Sequence, residues 1–183
     1  MAEELLEKIP AEKRWEITSK IITSLYVIRG EKTIVPDLGK GEGFMSPVLG
    51  AEKWKEINVK IFSEGGKIML PWVKDTFNIP VEDAIGVAKF CMVVAWLFGG
   101  PEQEFELIEA TPERAVLRTT KCAFMERYKE FKVRPAFIPC RYACQEYWAE
   151  GLKAISPKIT YNHMKALPWG DPYCEEVFEF KEG

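Results

Sequence analysis

The chain of 183 residues has a single histidine and no excess of positive charge. Its 25 Lys and Arg residues are outnumbered by 28 Asp and Glu residues, which gives a net charge of -3. A protein that binds nucleic acid without sequence preference needs a broad basic surface, because much of its affinity comes from releasing counterions. Nucleic acid is therefore not an expected partner.

Secretion features and long apolar runs are also missing, and these absences bear on where the protein is found. The start MAEELLEKIP is acidic and has no apolar segment of the kind that secretion signals carry. The longest apolar run, residues 90–100, is too short to span a bilayer. We therefore expect a cytoplasmic protein that is not embedded in a membrane.

Cysteine occurs five times, at positions 91, 122, 140, 144 and 174. In a chain without a secretion signal, thiols are expected to stay reduced and to serve as core residues, metal ligands or nucleophiles. The sequence therefore predicts free or metal-bound cysteines and no disulfides.

The first half of the chain is predicted to be helical. Apolar residues recur near every 3.6 positions in three segments, which are residues 11–28, 50–77 and 81–98. The middle segment contains two potential breaks, at EGGK and at Pro71. The third segment is apolar on nearly all sides, so we expect it to be buried all round, with Cys91 as a small core residue.

The second half shows the period-two alternation of β-strands. Strands at 103–109 and 114–121 are predicted to form one hairpin, and strands at 158–165 and 173–181 a second. A short helix over AFMERYKEF and a longer helix over residues 140–155 lie between the hairpins.

This order of elements predicts an α+β protein. No strand is joined to the next by the regular helical crossover of a parallel sheet, so the two hairpins should form one four-stranded antiparallel sheet. The N-terminal helices are expected to pack on that sheet. The length suits a single domain over residues 1–183, with a mainly helical half over 1–100 and a hairpin–helix–hairpin half over 101–183.

The only histidine is expected to lie close to a cysteine. A symmetric turn in the last hairpin would place His163 opposite Cys174, with both side chains on one face about 5 Å apart. Cys122 follows the second strand, and Cys140 is predicted to begin the following helix, with Cys144 one turn later on the same side. Three thiols and an imidazole could therefore converge.

Two chemistries fit such a cluster, beside the alternative of buried thiols around a core histidine. Cys122, Cys140, His163 and Cys174 would make a Cys3His zinc site with Cys144 as a spare thiol, and zinc is preferred to an iron–sulfur cluster. Alternatively, Cys140 is a nucleophile whose pKa is lowered by the helix macrodipole, with His163 as its base. The spacing contains no CxxC pair and does not decide among these readings.

Motifs in the second half resemble a known family. The stretches TTKCAF, PCRYACQEYWAEGL and GDPYCEEVFEF are similar to those of L-2-amino-thiazoline-4-carboxylic acid hydrolase-like proteins and, more distantly, of the 4-vinyl reductase domain. The resemblance covers residues 100–181 well and the helical half in outline. It implies a module that binds small molecules, in which cysteines hold zinc beside an apolar pocket. By position, Cys140 or Cys144 and Cys174 match those cysteines, and His163 replaces a further ligand.

One functional hypothesis and two alternatives follow. The main hypothesis is that the protein binds a small apolar or aromatic ligand between the helices and the sheet, with a metal or thiol site at the rim. The alternatives are a hydrolase of a small cyclic amide-like or thiazoline substrate, acting through a cysteine thiolate or metal-bound water, and an accessory subunit of a larger enzyme. A homodimer is compatible with each. The proposed pocket residues are Trp72, Phe90, Trp96, Phe137, Tyr142, Trp148, Tyr161 and Trp169.

Overall fold

The computed structural model describes residues 10–27, 51–133, 135 and 138–181. Expectations that fall elsewhere, including the assignment of Phe137 to a pocket, lie outside the described residues.

The described ranges form five α-helices and four β-strands, which confirms the α+β class. The helices are α1 (Ala11–Val27), α2 (Ala51–Phe77), α3 (Ala84–Gly99), α4 (Ala123–Glu130) and α5 (Cys144–Ile155). The strands are β1 (Glu104–Ala110), β2 (Arg114–Lys121), β3 (Ile159–Lys165) and β4 (Cys174–Phe180).

The four strands form one antiparallel sheet in the order β1-β2-β4-β3. The two predicted hairpins therefore lie side by side, and β2 and β4 are the central strands because each has a partner on both edges. Side chains alternate between the two faces of each strand. On the inner face, Ala115, Leu117 and Phe178 join the main apolar core with residues of α2, α3 and α5.

Helix α2 runs unbroken through both predicted breaks. Gly66 lies so close to α5 that an added side chain would meet the carbonyl oxygen of Tyr147. Gly151 makes the same close approach from α5, where an added Cβ would lie 2.5 Å from the Leu70 side chain and 2.6 Å from the Gly66 carbonyl oxygen. The two glycines therefore allow α2 and α5 to pack closely, and they do not end α2. This packing outweighs the helix-breaking preference of Pro71.

Helix α3 is buried on one side only. Phe90 and Cys91 lie in the core, but Trp96 is 43% exposed, so the expectation that this segment is buried all round was wrong. The segment Ala84–Glu102 also has the length and hydropathy of a membrane span, which corrects the expectation that every apolar run is too short. Core helices of soluble proteins share these properties, and α3 packs on the sheet. The cytoplasmic location stays a prediction.

Candidate functional site

A cavity of about 400 Å³ lies between the inner face of the sheet and the helices. Its wall is mostly apolar and is built by residues of α1, α2, α3, α4, α5 and all four strands, together with the turns that join them. Helix α2 contributes Ile61, Phe62, Gly65 and Met69, and α3 contributes Ala95 and Phe98 beside Cys91. The space is therefore bordered by elements from both halves of the chain and is partly open to solvent.

All five cysteines and the only histidine line this one cavity. Each cysteine comes from a different place in the fold: Cys91 from α3, Cys122 before α4, Cys140 from a short 3-10 turn, Cys144 from the start of α5 and Cys174 from the start of β4. All five are free thiols, in agreement with the expectation of no disulfides. The structure therefore places the thiols and the imidazole around one cavity, and their roles as site residues stay predictions.

The register of the last hairpin differs from the prediction by two residues. His163 pairs with Glu176 and not with Cys174. A bulge after His163 and the 3-10 turn Leu167–Trp169 make the connection asymmetric, and the Leu167 N–H donates to Cys174 Sγ at 3.4 Å. Because side chains alternate with a period of two, a shift of two residues leaves His163 and Cys174 on the same face, as predicted.

The predicted helix start at Cys140 is wrong. Helix α5 begins at Cys144, and Cys140 lies in the separate three-residue 3-10 turn Pro139–Arg141. So short a turn aligns too few peptide dipoles to favour a thiolate. Instead, the neighbouring thiol of Cys144 raises the pKa of Cys140, and burial raises it further. The nucleophilic role of Cys140, with His163 as base, stays a prediction, but the reason given for a reactive thiolate does not hold.

Cys122 and Cys174 are also held in their neutral thiol form. Burial raises the pKa of Cys122 to about 11 and raises the pKa of Cys174 further still. Thiols bind zinc as thiolates, so a metal would have to overcome this cost. Across residues 10–27, 51–133, 135 and 138–181, no three His, Cys, Asp or Glu side chains are grouped closely enough to hold a metal. Cys122, Cys140, His163 and Cys174 thus share a wall without forming a coordination sphere, and zinc stays a prediction.

The polar part of the wall is the pair His163 and Glu176. Glu176 is only 8% exposed, and burial raises its pKa to about 7 although the Tyr161 hydroxyl donates to its carboxyl at 3.4 Å. The imidazole of His163 lies with its centre 5.3 Å from that of the Trp169 ring and 6.2 Å from that of the Tyr161 ring. Burial lowers the pKa of His163 to about 4, against weaker contributions from the Lys165 backbone and a nearby carboxylate. Both groups are therefore biased toward their uncharged forms.

Of the tryptophans proposed for the pocket, Trp148 lines the cavity and the other three do not. Trp96 packs edge-on against Trp15, with ring centres 4.0 Å apart. Trp169 is 41% exposed, and its Nε1–H donates to the carbonyl oxygen of Arg141 at 2.7 Å. Both are therefore outside the wall.

The remaining aromatic residues proposed for the pocket do not line the cavity either. Tyr161 supports Glu176 from the next strand, Tyr142 packs against a second apolar cluster, Trp72 is 56% exposed and Phe90 is fully buried in the core. The aromatic residues that do line the cavity with Trp148 are Phe62, Phe98, Phe105, Phe124 and Tyr147. These were missed because helical and strand periodicity shows which residues face inward but not which inward positions are left unfilled.

Comparisons with known proteins show the fold. No family model matches the chain, and no curated protein matches it. Among solved structures, trafficking protein particle complex subunit 3 from Naegleria fowleri, covalently bound to palmitic acid, is similar with a TM-score of 0.50 and 11% identity. That match covers 91% of this chain and 97% of the other. The phenol-responsive sensory domain of the transcription activator PoxR, with phenol, matches with a TM-score of 0.42 and 7% identity, over 90% and 73% of the two chains.

At such low identity, the first likeness shows an α+β fold and nothing more, and the second adds nothing to it. No family match supports the resemblance to the thiazoline-carboxylate hydrolase-like proteins or to the 4-vinyl reductase domain. What those families do therefore gives no assignment for this chain.

Proposed function

We propose that the protein binds a small apolar ligand inside the cavity between its helices and its sheet. The observation that carries this proposal is a cavity of about 400 Å³ with a mostly apolar wall that is partly open to solvent. Natural ligand sites are concave, mostly apolar and supplied with a few polar groups, and their volumes lie in this range. Some of the lining side chains contact solvent, among them Ile61, which is 60% exposed, and a ligand that covered them would remove apolar surface from water.

The fold likeness supports the same proposal. The trafficking subunit of similar fold is covalently bound to palmitic acid, which is a long apolar chain. In the present chain, an apolar molecule could extend along Phe62 and Phe98 on the helices and reach the thiols at Cys144 and Cys174. The proposal concerns reversible binding, because burial raises the pKa of the Cys174 thiol and keeps it uncharged, which makes it a poor nucleophile.

A substitution at Gly65 tests the proposal. Gly65 lines the cavity, and a Cβ added there meets no atom within 4 Å. Gly65→Leu should therefore occupy ligand space without straining the helix, whereas Gly65→Ala removes the glycine and leaves most of the space open. We expect an environment-sensitive apolar dye to bind the natural protein and the Ala variant alike, and the Leu variant at least about tenfold more weakly.

Two results would contradict the proposal. One is a natural protein that binds no apolar dye and carries no apolar molecule when extracts are analysed by mass spectrometry. The other is equal dye affinity in the Leu and Ala variants, which would place the dye outside the cavity.

The hydrolase and accessory-subunit alternatives stay predictions, as does the homodimer. No contact among the described residues favours a hydrolytic reaction over binding, since Cys140 is held in its thiol form. If the purified protein hydrolysed a thiazoline or cyclic amide substrate, the hydrolase alternative would replace the binding proposal.

A further inference from the structure

Two polar residues of the cavity wall lie where β3 meets β4. His163 and Glu176 are direct cross-strand partners, so their side chains project from the same face about 5 Å apart. Both line the cavity, and this part of the wall is called the polar end. Ile61, Phe62 and Phe98 provide apolar side chains from the helices, and this part is called the apolar end. Further polar residues of the wall are Gln103, Thr119 and Tyr147.

The polar end is under-satisfied. Neither Nδ1 nor Nε2 of His163 makes a well-formed hydrogen bond among the described residues, although both atoms are buried, and the Lys165 backbone is the one weak partner near the ring. Glu176 accepts one long hydrogen bond, at 3.4 Å, from Tyr161. Buried polar groups are nearly always paired, because leaving one unpaired costs the full penalty of removing it from water. A ligand atom in this position would satisfy both side chains.

The charges around the cavity restrict the kind of ligand head group. No Lys, Arg or Asp is among the described residues of the wall, and Glu176 is the only acidic one. An anionic head would lose its water without gaining a cation and would face a second carboxyl group. A cationic head would require an ionised Glu176, and removing both charges from water offsets most of their attraction.

A neutral hydroxyl avoids both penalties. It can donate one hydrogen bond and accept another, which matches a neutral imidazole with one donor and one acceptor nitrogen. A carboxyl group beside it can provide the second partner in either protonation state. The ring contacts of His163 with Tyr161 and Trp169 hold the imidazole in place, so little side-chain freedom would be lost on binding.

We propose that the ligand is an apolar molecule with one neutral hydroxyl group, and that His163 and Glu176 bind this hydroxyl while the hydrocarbon part fills the apolar end. This inference rests on the proposed function, since it names the class of ligand that the cavity takes.

Four probes of equal chain length separate the head groups: decanol, its isomer methyl nonyl ether, decanoate and decylammonium. Their affinities are measured by displacement of an apolar dye from the full chain. We expect decanol to bind about three- to tenfold more tightly than the ether, which lacks the donor, and more tightly than either charged probe. Equal binding of decanol and ether, or tighter binding of decanoate or decylammonium, would overturn the proposal.

Substitutions show which residues cause the preference for decanol over the ether. His163→Phe keeps an aromatic ring between Tyr161 and Trp169 and should reduce the ratio of decanol to ether affinity to about one. Glu176→Gln retains a hydrogen-bonding group and should keep part of the ratio. Asn162→Ala, on the exposed face of the same strand, should leave the ratio unchanged.

Tyr147→Phe is the critical control, because Tyr147 also lines the cavity and its buried hydroxyl has no hydrogen-bond partner among the described residues. If this variant loses the hydroxyl preference while His163→Phe keeps it, the assignment to His163 and Glu176 is wrong. The comparison of the four probes on the natural protein remains a test of the proposal even if a variant fails to fold. Failure of all four probes to displace the dye from a cavity that Gly65→Leu blocks would contradict this inference alone, whereas absence of dye binding would contradict the proposed function.

Discussion

The inner face of the sheet has a packed end and an open end, and the two differ in chemistry although they belong to the same strands. Three cross-strand pairs of β2 and β4 lie along it: Ala115 with Phe178, Leu117 with Glu176, and Thr119 with Cys174. The first pair is completely buried in the core. The last two pairs line the cavity. From the first pair to the third, the inner-face residues change from apolar side chains that fill their space to small or polar side chains.

The difference shows how one alternating pattern can serve two purposes. Period-two alternation places all of these residues on the inner face, and the size of each side chain then determines whether space remains. Phe178 fills its position, whereas Cys174 and Thr119 are too small to reach the helices opposite. Stability should therefore depend mainly on the packed end, and ligand binding on the open end.

The largest effect should follow truncation at the packed end. Phe178→Ala removes a side chain with no solvent exposure and should lower the free energy of unfolding by about 3–5 kcal/mol. Cys174→Ala enlarges a space that already exists and should cost less than about 1 kcal/mol. Denaturant unfolding of both variants measures the contrast. Similar losses would show that the two ends are packed alike.

The second largest effect should be a dependence of stability on pH, caused by Glu176 at the open end. Burial raises the pKa of Glu176 from 4.5 to about 7, so the folded state holds this proton more tightly than the unfolded state. The associated stability is fully present below pH 4.5 and is lost as the pH rises through 7, by about 3 kcal/mol at most.

In metal-free protein, Glu176→Gln should remove this decline, which unfolding curves at pH 5, 6, 7 and 8 would measure. The Phe178→Ala variant at the packed end should keep the same pH dependence as the natural protein. A decline that persists in the Gln variant would assign the titration to another group.

A smaller effect should distinguish two adjacent glycines of α2. Gly66→Ala forces a Cβ against the Tyr147 carbonyl and should destabilise the fold by about 1–3 kcal/mol. Gly65→Ala faces open space and should stabilise it by up to about 1 kcal/mol, because alanine favours the helix. Thermal melts of the two variants provide the measurement. Equal shifts would mean that α2 and α5 are not in close contact.

The smallest expected effect is that of reductant on the cysteines. Because all five are free, thiol titration of metal-free protein in denaturant should give five reactive groups with or without prior reduction. Fewer than four without reduction would indicate disulfides. Elemental analysis of native protein purified without a chelator tests the zinc prediction, and bound zinc that Cys174→Ser lowers while Cys91→Ser does not would support it.

Local sequence patterns predicted most of the elements but not how they meet. The two hairpins and the α+β class follow from periodicity, since alternation and helical spacing are properties of a few neighbouring residues. The register of the last hairpin did not follow, because the bulge after His163 depends on how the turn Leu167–Trp169 packs. Glu176 is two residues from Cys174 and therefore lies on the same face of β4, yet acidic residues in hairpins are usually solvated. Its burial is a consequence of tertiary packing.

The solitary imidazole in the cavity wall makes the protein its own spectroscopic reporter. A chain with one histidine gives a single set of imidazole resonances, free of overlap from any other ring of that type. Those resonances come from His163, which lines the cavity. Their chemical shifts should therefore respond to occupancy of the cavity while the backbone fold is unchanged. Occupancy could then be followed in a cell lysate by selective isotope labelling of a single residue type, without attaching any probe to the molecule.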